Sequence, residues 1–444
     1  MNTRPMKGLA MLTLIAAATL IPLCAQRKIG IDEAVALAIA NNESLKQSAI
    51  SLEAKRRALG LAWNEFLPSV TAGAGLESTK YSYSYETDFA ADASSLAAEG
   101  SLTASLSLSA SLSEARKLLR LAYENELISY EAARAKLELQ VRAKAYTIIL
   151  DGENLKVARQ NIERSSRSYA ETEQRYKAGL TSELDLLSAK VSLAQLGPTA
   201  DGYANTLAND IDSLKNLIGI GSDEEMSVDG ELDLGDEAAA KLLADAKSAK
   251  LSENHDVAAA AKSIEIASST KTSLERSKLW PTLSLSASVT PTNPLSYSGT
   301  ASSAKSLTTT ASAMVDIPLD NFLPGSAARE SIAEAQDSID SYTAAYQAAV
   351  KDAQASLKSY ARSVESYSAS LKALKMNAEL AQQSYDASLK AYKNGLLTLT
   401  SLQSAEGDLE SAKLGALSKS YDLIAAALNL AYQAGLPLDF TGRK

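Results

Sequence analysis

With 444 residues, 46% of them hydrophobic but only 5% aromatic, the chain is long enough for several cores, and its alanine, serine and leucine bias suits long helices packed through small side chains. A formal net charge of −9 offers no basic stripe to a nucleic acid, so no such partner is expected. A single cysteine, Cys24, and a single histidine, His255, exclude disulfide frameworks, Cys/His zinc sites and Cys–His dyads within one chain, and no metal or cofactor is expected.

The first stretch, "MNTRPMKGLAMLTLIAAATLIPLCAQ", has a basic start, an apolar run from Leu9 to Ile21, a break at Pro22 and a small residue at Ala25. This is the form of a signal peptide over residues 1–25. Cleavage after Ala25 is favoured over lipidation of Cys24, because the bulky Leu23 precedes that cysteine. Loss of Arg4 and Lys7 takes the formal charge from −9 to −11. No later segment reaches the roughly 20 apolar residues of a membrane helix.

The rest of the chain is written twice. "RYKAGLTSELDLLSA" at 175–189 aligns with "AYKNGLLTLTSLQSA" at 391–405, and "FLPSVTAGA" at 66–74 with "LWPTLSLSA" at 279–287. The two offsets, 216 and 213, define a first repeat over 26–218 and a second over 241–436. A glycine-rich acidic linker, 219–240, lies between them as irregular connection or short strands, and 437–444 form a tail.

In chain order each repeat predicts an opening helix, a proline-marked entry, two alternating segments, a very long helix, a glycine turn and a returning helix. The alternating segments span about 69–83, 101–113, 282–290 and 306–318. In the second, Leu102, Leu106, Leu108 and Leu112 share a face with Ala104 and Ala110, while Ser105, Ser107, Ser109 and Ser111 share the other. The third presents Leu283, Leu285, Ala287 and Val289, and the fourth Ala311, Ala313, Val315 and Ile317. Such long alternation fits tilted membrane β-strands, with Leu102, Leu106, Leu108, Leu112, Leu283, Leu285, Val315 and Ile317 toward lipid and the hydroxyls toward water. Four strands do not close a barrel. Two copies would give 8 strands around a side-chain-filled interior and three would give 12 around water, so three copies are expected.

The long helix of the first repeat is predicted from about Glu114 to Gly179, capped by Ser111 or Ser113 and roughly 100 Å long at 1.5 Å per residue. Its seam is Ile128, Ala132, Ala135, Leu139, Ala143, Tyr146 and Leu150, a spacing that supercoils weakly. Gly179 and Gly395 reverse the rods. Pro198 is expected to kink or interrupt the first returning helix. His255 reads as a surface residue.

The order of elements and the turn motif together resemble the TolC-like outer-membrane efflux family over nearly the whole mature chain. The family's turn pattern is met by Tyr176, Gly179, Leu180, Asp185, Leu186, Leu187 and Ala189, and in the second repeat by Tyr392, Gly395, Leu396, Leu402, Gln403 and Ala405. Ser401 replaces the second aspartate, and Thr181 and Leu397 stand where members often carry arginine, so no charged latch carries over to those positions. "PLDNFLPGSAARE" at 318–330 is similar to the family's exit from its last strand, lengthened here.

The resemblance implies an α+β membrane protein: four transmembrane β-strands per chain in a trimeric 12-stranded β-barrel, continued by antiparallel coiled-coil helices as a periplasmic α-helical tunnel. It implies a passive exit duct in the outer membrane, working with a periplasmic adaptor (membrane fusion) protein and an inner-membrane ABC or RND-type transporter in tripartite efflux or type I secretion. The tip residues Tyr176, Gly179, Leu180, Asp185, Tyr392, Gly395, Leu396 and Ser401 would meet the adaptor or form the gate. Asp185 reads either as a helix-start acid or as one of a ring of three, and the two tyrosines either as gate donors or as packing. No nucleophile, base and orienting group stand at catalytic spacing and there is no phosphate-binding loop, so no enzyme is expected. The competing reading is an exported coiled-coil scaffold or adhesin whose strands form a soluble hairpin.

Overall fold

The computed structural model describes residues 27–83, 91–221, 223–298 and 304–439. The signal-peptide segment with Cys24 and the last residues of the tail lie outside the described residues.

Two copies of one plan follow each other. The first opens with strand β1 (Arg27–Gly30) and helices α1 (Ile31–Asn41) and α2 (Glu43–Gly60). It continues through β2 (Ser69–Tyr83) and β3 (Ala91–Ser109) into α3 (Leu112–Lys177) and returns through α4 (Glu183–Ile218). After β4 (Met226–Asp229), the second has α5 (Asp236–Ser248), α6 (His255–Leu279), β5 (Thr282–Ser298), β6 (Ser306–Asp316), α7 (Ala327–Lys393) and α8 (Leu399–Gln433). The long helices have 66 and 67 residues, about 100 Å each at 1.5 Å per residue.

The opening stretch of each repeat is two helices where the sequence suggested one, and an asparagine makes each break. Asn42 accepts the Leu45 amide and donates from Nδ2 to the Leu217 carbonyl at 2.9 Å. Asn254 accepts the Asp256 and Val257 amides and donates to the Gln433 carbonyl at 3.0 Å. Each side chain thus caps one helix and satisfies a carbonyl at the end of its repeat's returning helix.

The cores lie around the middle of the long helices. Leu137, Val141 and Ile148 of α3 join Ile29, Ala38, Leu214 and Met226. The neighbouring positions Leu139, Ala143 and Tyr146 pack against Leu242, Val364, Leu423 and Leu428 of the second repeat. The predicted seam is therefore only half-buried; α3 uses two stripes because it is held between both repeats. Across the first core β1 and β4 pair in parallel, and this gives the acidic linker its one strand.

Five expectations need correction, the first being the strand predicted over 282–290, which runs on to Ser298. The strand predicted over 101–113 begins at Ala91 and ends at Ser109, so Leu112 is the first residue of α3. The segment predicted over 306–318 ends at Asp316, which leaves Ile317 outside it. Neither Leu112 nor Ile317 is a strand residue. Ser111 stands at the start of α3 without a side-chain cap, and Ser113 Oγ instead donates to the Ala110 carbonyl. Finally, α4 runs unbroken through Pro198, whose exposed position leaves room for the ring and lets solvent serve the freed carbonyl. His255 is half-buried, its ring 6.2 Å from that of Tyr432.

Candidate functional site

Two regions carry the protein's distinctive chemistry: the sheet and the paired helix reversals. The sheet has the order β2-β3-β5-β6, antiparallel throughout. Register aligns side chains of one kind across it. Val70, Ala104, Ala287 and Ala311 form one row. Leu106, Leu285 and Ala313 form another, and Leu108, Leu283 and Val315 a third. On the opposite face Ser69, Ser105, Ser286 and Ser312 lie in register, with Oγ···Oγ contacts of 2.8 Å for Ser69–Ser105 and 2.7 Å for Ser286–Ser312. Because side chains alternate with period two, a slip of one residue would mix the faces.

Among the described residues nothing covers the apolar face: Val70 is 64% exposed, Leu76 70%, Leu102 52% and Val315 61%. The edge strands β2 and β6 each pair on one side only. Among the described residues no helix is long and apolar enough to cross a membrane. Proline shapes the far end of the sheet, where β3 and β5 shift register between Leu96 and Ala97, beside Pro294.

At the opposite end of the rods Gly179 and Gly395 take φ of +73° and +74°. Both turns close identically. Leu180 N donates to Arg175 O at 2.8 Å and Leu396 N to Ala391 O at 2.9 Å, while each glycine N donates to the tyrosine carbonyl three residues earlier. This is the Schellman arrangement, which needs a left-handed residue at the glycine position.

The returning helices start differently. Asp185 accepts from Thr181 Oγ1 and Ser182 Oγ, both at 2.8 Å, and Ser182 Oγ accepts from Asp185 N, closing a capping box. The Thr181 and Ser182 hydrogen bonds hold its carboxyl below the usual range. In the second repeat Thr398 Oγ1 accepts from Ser401 N at 3.3 Å. Ser401 therefore retains the cap without the charge, whereas Asp185 closes the capping box at the start of α4.

The two tyrosines of the motif have separate fates. Tyr392 is 4% exposed, its hydroxyl 2.9 Å from Thr172 Oγ1, and it packs with Tyr385, Leu399 and Leu402. Tyr176 is 39% exposed. The cation at the tip is not at the positions just after the glycines, Thr181 and Leu397, but is Arg175, four residues before Gly179. Its guanidinium donates to the Tyr392 carbonyl and lies 4.8 Å from the centre of the Tyr392 ring, joining the two reversals. The sequence signal was a polar stripe on α3, Ser165, Ser168, Thr172 and Arg175, at helical spacing. Around this joint Leu180, Leu184, Leu187 and Leu396 are 57 to 79% exposed.

Above the tip, α3 and α7 border a cavity of about 470 Å³ lined by Arg164, Arg167, Gln382, Tyr385, Asp386 and Lys413. Burial raises the Glu406 and Glu410 carboxyls, opposed by Arg164, and Asn161 donates to Glu410. Among the described residues no group of three or more His, Cys, Asp or Glu side chains is placed to hold a metal ion.

An internally duplicated chain with a two-faced four-stranded sheet fused to long helical hairpins defines the class of outer-membrane channel proteins with a helical tunnel. The chain belongs to the outer membrane efflux protein family, whose model matches residues 34–219 and 247–436. Solved structures agree in fold. The CmeC outer membrane channel of Campylobacter jejuni has a TM-score of 0.74 at 15% identity, covering 93% of this chain and 88% of its own. A membrane protein of Pseudomonas aeruginosa gives 0.73 at 17% identity, covering 91% and 90%. The outer membrane protein VceC of Vibrio cholerae gives 0.71 at 14%, covering 92% and 97%. A search of curated proteins by sequence finds no match.

Proposed function

We propose that three copies of this chain close a 12-stranded barrel in the outer membrane and stack their helical hairpins into a periplasmic tunnel, forming the passive exit duct of a tripartite efflux pump or type I secretion system. The observation that carries this reading is the sheet: apolar rows in register on one uncovered face, hydroxyl rows on the other, and edges at β2 and β6 paired on one side only. Lipid takes the first face and water the second. Closure onto neighbouring copies satisfies both edges.

The tips supply the contact with the rest of the machine. The exposed leucines Leu180, Leu184, Leu187 and Leu396 form an apolar rim to which the helical hairpin of a periplasmic adaptor docks, and an inner-membrane ABC or RND-type transporter supplies the energy. Arg175 and Tyr392 hold the two reversals of one chain together and so oppose widening of the entrance.

Reconstitution of the purified full-length protein in planar lipid tests the reading. Discrete conductance steps are expected, and Arg175→Ala raises the fraction of time spent open. A trimer that inserts without conducting refutes the duct and leaves the scaffold reading.

A further inference from the structure

Both tryptophans of the chain, Trp63 and Trp280, lie where helices meet the sheet, and both are well exposed, at 60% and 57%. Trp63 is in the short turn between α2 and β2, its ring 5.6 Å from that of Phe66. Trp280 links α6 to β5. Exposed aromatic rings at the foot of an apolar sheet mark the level where hydrocarbon gives way to headgroups.

The two junctions differ in charge. At the first, Lys55, Arg56 and Arg57 end α2, the only three consecutive basic residues in the sequence, and Arg116 and Lys117 begin α3. Arg56 has Glu53 at 3.4 Å and Lys117 has Glu114 at 3.9 Å. Among the described residues Lys55, Arg57 and Arg116 have no carboxylate partner, and all three are exposed. Their nearest acids in sequence are Glu53 and Glu114, the partners of Arg56 and Lys117, and Glu65 is exposed nearby. At the second junction the exposed Lys278 and Arg329 are matched in number by the exposed Asp320 and Glu330, while Arg276 is tied to Glu114 at 3.1 Å.

Helix stability explains part of the first cluster and not the rest. Cations in the last turn of α2 suit its negative end, but Arg116 and Lys117 stand in the first two turns of α3, where the helix dipole favours acids. Arg116 is held over the face of Trp63, 4.9 Å from the ring centre. A guanidinium stacked on an interfacial tryptophan keeps its edge free for a bidentate phosphate contact. Lys55 and Arg57 lie six to eight residues before Trp63, about 10 Å deeper along the rod at 1.5 Å per residue.

We infer that the Trp63 junction is a binding surface for anionic phospholipid headgroups of the leaflet facing the tunnel, with Arg116 as the phosphate contact and Lys55 and Arg57 adding to the field. The Trp280 junction meets the same leaflet without charge selectivity. This rests on the membrane reading above and adds lipid specificity to it.

With only two tryptophans, the protein carries its own reporter. The full-length protein, as Trp280→Phe (Trp63 alone emitting) or Trp63→Phe (Trp280 alone), is placed in phosphatidylcholine vesicles. Each contains the same minor fraction of brominated phosphatidylglycerol or brominated phosphatidylcholine, and quenching is compared. Trp63 is expected to be quenched about twofold or more better by the anionic lipid. Arg116→Gln and about 0.5 M salt should each abolish that preference, while Trp280 is quenched equally by both lipids. Equal quenching of Trp63 by the two lipids overturns the inference and leaves the membrane reading intact. Absence of quenching by either lipid at both tryptophans overturns both. The unsubstituted protein, with both tryptophans, should show an intermediate preference; none there also counts against the inference.

Discussion

Asp151 gives the protein a stability that falls as pH rises. It lies on α3, 8% exposed, with Oδ2 lacking any hydrogen-bond partner. Burial first, then the charge of Asp210, pushes its carboxyl up to about 6 from 3.8, although Lys144, 3.1 Å from Asp210, partly offsets this. Between those two values the folded protein holds a proton that the unfolded chain has released. Stability is therefore highest below about pH 4 as far as this group is concerned, and is lost as pH rises through 6. Two pKa units correspond to about 3 kcal/mol as a ceiling, and solvent screening near the helix surface reduces this to about 1–2 kcal/mol. Asp151→Asn removes the titration, and its amide can donate to Asp210. Hydrogen exchange of α3 around residue 151 and of α4 around residue 210, corrected for intrinsic rates, is the assay. The parent should lose about 2- to 10-fold protection between pH 5 and 7.5, and the variant should be flat and better protected at pH 7.5. An identical pH dependence in both proteins would falsify the argument.

Other substitutions probe other parts of the molecule. Asn42→Ala and Asn254→Ala each remove a helix cap and strand a carbonyl, of Leu217 or Gln433, at an expected cost of about 1–2 kcal/mol apiece in denaturant unfolding; a loss near zero in both would mean that the shared device has no energetic role. Arg175→Ala should speed exchange of the amides around residues 391–397, and Arg175→Lys should restore little because the stacked fork is lost. Leu102→Arg on the uncovered apolar face should cost about 2–4 kcal/mol per copy if it meets lipid near mid-depth, read as loss of assembled protein from membranes, whereas Ser286→Asn on the hydroxyl face should assemble normally. Gly179→Ala should cost about 1–2 kcal/mol locally through its left-handed backbone alone, since no atom lies within 4 Å of the added methyl; gross misfolding would contradict that.

Much of the architecture was legible because periodicity states it directly. The alternation of Leu102, Leu106 and Leu108 with serines survives as a strand face, and the repeated glycines at 179 and 395 survive as identical reversals. What escaped was decided by partners distant in sequence. Leu112 continues the alternation on paper, yet the sheet ends where β3 loses its β5 partner at Ser109–Thr282, and the next residues turn into α3. The early half of β3, "ADASSLAAEG", has no clean alternation and is a strand because β2 pairs with it as far as Tyr83–Ala91. Tyr176 and Tyr392 occupy equal motif positions but unequal surroundings, since the second reversal packs on Thr172 and Arg175 of α3 and the first has no counterpart to receive it. Arg175 was missed for the same reason: its role depends on a carbonyl more than 200 residues away.

The central claim is that β2 of one copy closes onto β6 of the next, and intermolecular cysteine crosslinking tests it most directly. Pairs such as Thr71→Cys with Thr310→Cys, stepped along both edge strands on the hydroxyl face, would be oxidised in membranes and resolved without reductant. The account predicts, for one register of pairs, covalent species of one, two and three chains and none larger. Failure of every register to crosslink, or a ladder continuing beyond three, would contradict it.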